Sequence, residues 1–193
     1  MISRDKASQI VELFNREFEG DCQTRLVGGG QEPLYEPANE ERSPSSDKRS
    51  CHQIIFTQDY PSSALHEVAH WCIAGPERRK QVDYGYWYAP DGRDDEQQRL
   101  FESVEIKPQA LEWVFSIAAR VSFKVSADNL EGDSSISASF KEHIYQQAIT
   151  YCEDGLPTRA ERFVRVLVEL FYPEENASVE DVLNAQCYHY QSL

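Results

Sequence analysis

Ser63-Ala64-Leu65-His66-Glu67-Val68-Ala69-His70-Trp71-Cys72-Ile73-Ala74-Gly75 is the stretch from which the rest of the chain is read. Pro61-Ser62-Ser63 starts a helix there, with a serine at the N-cap. Gly75-Pro76 stops it. One side of this helix is apolar: Leu65, Ala69, Cys72 and Ile73. His66 and His70 lie one turn apart, so both imidazoles can grip one ion. Glu67 stands beside them, placed to touch a metal-bound water rather than the metal. The plainer alternative is a pair of histidines that merely pack or share a hydrogen bond.

Outward from this helix the pattern is mixed. Ser8 to Phe18 carries Ile10, Val11, Leu13, Phe14 and Phe18 at helical spacing. Thr24–Val27 and Leu34–Tyr35 read as short strands around a Gly28-Gly29-Gly30 turn. Those glycines lack the spacing and the following helix of a phosphate cradle. Residues 38–50 are polar and of mixed charge, a flexible surface loop. Gln53–Thr57 reads as a buried edge strand. Tyr84, Tyr86, Trp87 and Tyr88 form an aromatic extended segment ending at Ala89-Pro90-Asp91-Gly92.

Asp94–Glu105 is helical, with the stripe Gln97, Leu100, Phe101, Val104, and Pro108 ends or kinks it. Leu111, Val114, Phe115, Ala118 and Ala119 then mark a core helix. Ser137–Glu153 and Arg159–Tyr172 are two more. The sum is an α+β fold: a mostly helical single domain over residues 1–193 with a small sheet and a zincin-like metal-binding helix.

Composition narrows the function. In 193 residues, 33 acidic against 19 basic side chains leave a net charge of -14. Binding to a phosphate backbone needs the opposite sign, so no direct nucleic-acid partner is expected. The longest near-apolar stretch, Leu111–Phe123, is interrupted by Glu112, Ser116, Arg120 and Ser122, too polar to cross a bilayer. Five cysteines, without a CxxC pair or a secretory signal at the N-terminus, suit a reducing cytoplasm.

Two histidines leave a metal site undefined, and a third ligand is required. His52, His143 and His189 do not make the HxxGxxH continuation of metzincins. A carboxylate is therefore preferred, and Glu102 and Glu105 are the candidates. At about 100° per residue, Glu105 borders the apolar stripe and Glu102 lies nearly opposite it. Glu105 is the choice. Two histidines with one carboxylate serve two chemistries. Zinc would activate water for hydrolysis with Glu67 as general base. Ferrous iron would bind dioxygen and oxidise a nearby C–H bond. The spacing is the same for both.

The match then becomes specific. The Ser63–Gly75 stretch resembles the signature of the bacterial elongation factor P hydroxylase family. So do Val82-Asp83-Tyr84-Gly85-Tyr86-Trp87-Tyr88, Pro90-Asp91-Gly92-Arg93, Val104-Glu105-Ile106-Lys107-Pro108-Gln109-Ala110-Leu111 and Asp128-Asn129-Leu130-Glu131-Gly132-Asp133. The resemblance runs from about Ile10 to Phe171. It implies an iron-dependent oxygenase, with dioxygen as co-substrate, that hydroxylates elongation factor P on a lysine already extended by a β-lysyl group. It implies His66, His70 and Glu105 as iron ligands and Glu67 as a neighbour that handles protons. A doubly cationic side chain would suit an acidic enzyme. No electron donor can be named, and no 2-oxoglutarate pattern is present.

Asp83 and Asp133 are each a turn residue or an orienter of a ligand imidazole. Arg78-Arg79-Lys80 is a solvated helix-end patch or a contact for the substrate. The competing functions are a zinc peptidase, which would die with Glu67→Gln while keeping its metal, and an acidic binding protein without stoichiometric metal.

Overall fold

The computed structural model describes residues 2–38, 51–85, 94–126, 136–175 and 177–193. The protein is α+β and mostly helical, with one three-stranded sheet. It forms two compact units, Met1–Tyr86 and Trp87–Leu193. Among the described residues no helix is long and apolar enough to cross a membrane, and all five cysteines are free thiols.

The first unit contains α1 (Ile2–Cys22), β1 (Thr24–Gly30), β2 (Leu34–Glu36), β3 (His52–Thr57) and α2 (Pro61–Ile73). The strand order is β1-β3-β2. β3 is therefore the central strand, not the edge its sequence suggested. It runs parallel to β1 and antiparallel to β2. Burial alternates along it: Ile54 and Phe56 face the core, and Ile55 is only half-buried.

The glycine triplet is also not a hairpin turn. It belongs to β1, where the register with β3 shifts between Val27 and Gly30. A Cβ at Gly28 would collide with the Asp59 carboxylate, and one at Gly30 would come within 2.7 Å of Ile55 Cγ2. Close packing of the next strand and the following turn, rather than chain reversal, requires these glycines.

α1 lies on this sheet through Phe14 and Phe18, both fully buried. It is also pinned by a polar clasp. Asn15 Oδ1 accepts from Leu26 N at 2.7 Å, and Asn15 Nδ2 donates to Leu26 O at 3.2 Å. A side-chain amide thus takes the place of a neighbouring strand at that point of β1.

The second unit contains α3 (Asp95–Ala118), α4 (Ala138–Asp154), α5 (Thr158–Phe171) and the short α6 (Val179–Val182). Asp94 caps α3 through a reciprocal pair with Gln97. α3 runs unbroken past Pro108, where the sequence suggested a break between two helices. Pro108 cannot donate to the carbonyl four residues back, a penalty of about 3 kcal/mol. Burial of Pro108, Gln109, Ala110 and Leu111 in succession offsets it. α4 and α5 begin and end within a residue or two of their predicted bounds, with Ser137 Oγ accepting from Phe140 N as the α4 cap. Phe115 meets Phe163 edge-on, 5.0 Å between ring centroids, where α3 crosses α5.

Asn15→Ala should destabilise the protein by about 1–3 kcal/mol, because the Leu26 N–H and C=O lose their partner where no strand replaces it. Urea unfolding followed by circular dichroism measures this, and a loss under 0.5 kcal/mol would show the clasp to be dispensable.

Candidate metal centre

Three local features set α2 in place. A three-residue link from β3 contains Gln58 and Asp59, both left-handed, at φ 50° and 59°. This sharp reversal returns the chain over the sheet, and Ser63 Oγ accepts from Thr57 N at 3.0 Å across it. Ser63 therefore braces the turn and does not cap the helix, as the sequence suggested for a serine here. The N-cap is Tyr60, with Pro61 in the first helical position. At the other end Arg79 donates to the Ala74 carbonyl at 2.7 Å.

Packing then fixes the helix rotation. Trp71 meets Phe14 and Phe18 edge-on, 5.2 and 5.0 Å between centroids. Ala64, Leu65, Val68, Ala69 and Cys72 are buried with it. His66, Glu67 and His70 are left half-buried on the remaining side.

Their geometry suits a metal. The Nε2 atoms of His66 and His70 are 3.1 Å apart, with the rings 72° from coplanar. Two neighbouring ligands of one ion have that separation when each bond is about 2.1 Å. Without an ion the same distance accommodates an N–H···N hydrogen bond. Imidazole nitrogens serve iron(II) and zinc alike.

Beside α2, Asp83 and Tyr84 are both left-handed, at φ 48° and 58°. Asp83 Oδ1 accepts from Tyr35 N at 2.8 Å, which makes Asp83 a turn residue tied to β2. Tyr84 is 4% exposed. It stacks on Tyr35 at 4.3 Å and lies parallel to His70, 6.4 Å between centroids. Burial first, then the nearby Glu67, Tyr35, Cys72 and Asp83, raises the Tyr84 phenol pKa well above its usual range. His52 accepts from Ala38 N at 3.0 Å, and burial, then the Arg79 charge, holds its pKa below the usual imidazole value. Arg78, Arg79 and Lys80 serve the fold: they bond the Tyr84 carbonyl, the Ala74 carbonyl and Glu77 respectively.

In the second unit the two candidate carboxylates on α3 differ. Glu102 is half-buried and accepts from Ser137 Oγ at 3.2 Å and Gln98 Nε2 at 3.4 Å. Glu105 is 2% exposed, with Gln109 Nε2 3.5 Å away. The buried stripe is not centred on Val104, as the sequence suggested. Leu100 is 66% exposed and Val104 half-buried, and the stripe follows Phe101, Glu105, Gln109 and Glu112 instead. Glu105, Gln109, Glu112 and Ser116 are all buried at helical spacing. That polar line was legible as a 4-3-4 spacing and was overlooked because its neighbours are apolar. Tyr86, Trp87, Tyr88 and Asp133 lie outside the described residues, as do residues 39–50 of the expected loop.

The sequence model of the elongation factor P hydroxylase family matches residues 13–182. An elongation factor P lysine hydroxylase of Haemophilus influenzae is 47% identical over 174 residues, covering 90% of this chain and 94% of that protein.

His66→Ala and His70→Ala should each weaken divalent-metal binding by more than about a hundredfold, a lower bound set by what loss of mere supporting groups does. Both variants should stay folded, because neither ring belongs to the buried side of α2. Calorimetric cobalt titration with circular dichroism tests this, and undiminished uptake by either variant would remove the pair from the site.

Proposed function

We propose, for a chain that belongs to the elongation factor P hydroxylase family, that it is an iron(II)-dependent oxygenase acting on translation elongation factor P. Its substrate is the lysine side chain already extended by a β-lysyl group. The observation that carries this reading is the 3.1 Å approach of the two Nε2 atoms on a helix whose other side is locked into the core.

In this reading His66, His70 and Glu105, the set that the family resemblance implies, hold one metal ion. Bound there, iron(II) supplies the redox chemistry by which dioxygen oxidises a C–H bond. Both imidazoles project from α2 at positions four apart, so helical spacing presets their separation. Burying a carboxylate as deeply as Glu105 is costly, and a cation beside it would offset part of that cost; the half-buried Glu102 has less to gain. Glu67, adjacent in sequence to one imidazole and half-buried, holds or passes a proton at its carboxylate. Putting one oxygen atom into a C–H bond and reducing the other to water draws an electron pair from an external donor. The net charge of -14 favours approach of a cationic side chain. Five free thiols and a translation factor as substrate point to the cytoplasm.

HExxH alone also fits a zinc peptidase, but the relatives favour hydroxylation. Purified protein with iron(II), dioxygen and a reductant should add the mass of one oxygen atom to lysylated elongation factor P and hydrolyse no peptide. Fully iron-loaded protein that leaves the substrate mass unchanged would sink the proposal. Glu105→Ala should lose iron by elemental analysis, whereas Glu102→Ala should retain it. The reverse result would move the third ligand.

A further inference from the structure

Two stacked tyrosines in the first unit use their hydroxyls differently. Tyr35 Oη donates to the Arg79 carbonyl at 2.8 Å and lies 3.2 Å from His52 Nδ1. Tyr84 Oη is buried and has no hydrogen-bond partner among the described residues. A buried hydroxyl without a partner is destabilising. So is the backbone that carries it, for Asp83 and Tyr84 are consecutive left-handed residues and neither is glycine. The fold nevertheless holds that turn firmly. Asp83 is bonded to Tyr35 N, Arg78 to the Tyr84 carbonyl at 3.3 Å, and Tyr84 N to the Gln81 carbonyl at 3.2 Å. The ring so placed lies parallel to His70 and within the electrostatic reach of Glu67.

We propose that the Tyr84 hydroxyl is a ligand-positioning donor: it gives its hydrogen bond to a small anionic or oxygen-bearing ligand seated beside His70. This rests on the metal-site reading above. The orphan hydroxyl then acquires its partner only when the site is filled, and the strained turn is explained by the position it secures.

The test uses full-length protein loaded with cobalt(II) and titrated with azide, which stands in for the small ligand, by visible absorption. Tyr84→Phe should bind cobalt normally, keep or raise the apo-protein Tm, and bind azide about tenfold or more weakly, the loss expected for a hydrogen bond to a charged group. Tyr35→Phe is the control. It removes a hydroxyl the fold does use, so its Tm should fall while its azide affinity stays within twofold. Azide affinity unchanged in Tyr84→Phe would overturn the proposal. So would a Tm drop matching that of Tyr35→Phe, which would mean that the hydroxyl serves the fold. Wild-type protein that takes up no cobalt would fail the metal site itself. Normal cobalt uptake with indifferent azide binding would fail only the role of Tyr84.

Discussion

The rotation of α2 about its own axis is the constraint from which the site follows. Helical geometry puts residues four apart on one side but does not say which side faces solvent. Here the choice is made by Trp71, held edge-on between two phenylalanines of α1, and by the five small or apolar residues buried with it. An aromatic group of that size contributes about 1.5–3 kcal/mol by burial alone. Turning the helix by even one residue would expose Trp71 and bury a histidine. Core packing elsewhere on the same helix therefore leaves the imidazole side of α2 the less covered one.

The turn before α2 belongs to the same device. Two left-handed residues, a serine that accepts from the last strand residue, and a glycine that leaves room for the Asp59 side chain make this reversal. Backbone strain recurs at Asp83–Tyr84, again beside α2. Such conformations persist where surrounding contacts over-determine them. In this unit they flank the helix that carries both histidines.

α3 shows a different compromise. A helix through Pro108 with Glu105, Gln109, Glu112 and Ser116 buried along one line is a poor choice for stability alone. Gln109 illustrates how the polarity is accommodated: its amide binds both Ser126 O at 2.7 Å and Ser126 N at 3.1 Å and so secures the segment that follows the helix. Glu105 sits one turn earlier, as the carboxylate with least access to water among the described residues. Where the described elements depart from simple amphipathic packing, they do so at residues with chemical capacity.

How much was legible in the chain follows the range of the interactions involved. The presence of the helices was legible because their signals are local: periodic apolar residues and the Gly75-Pro76 stop. The i, i+4 histidines and the family resemblance were equally local, and the comparisons agree with the resemblance. Strand order was not readable, since the central place of β3 depends on pairing with residues some twenty or thirty positions away. The glycine triplet looked like a turn because collision with Asp59 and Ile55 is invisible until the chain has folded. Leu100, expected on the buried stripe, is exposed for the same reason: hydrophobicity favours burial, but only the neighbouring helices decide which side of α3 is covered. Sequence alone determined the candidate donor residues and the helix that spaces two of them. Tertiary packing decided which donors are buried, how the helix is turned, and that a lone phenol stands beside a histidine, because those depend on contacts between segments that no local pattern encodes.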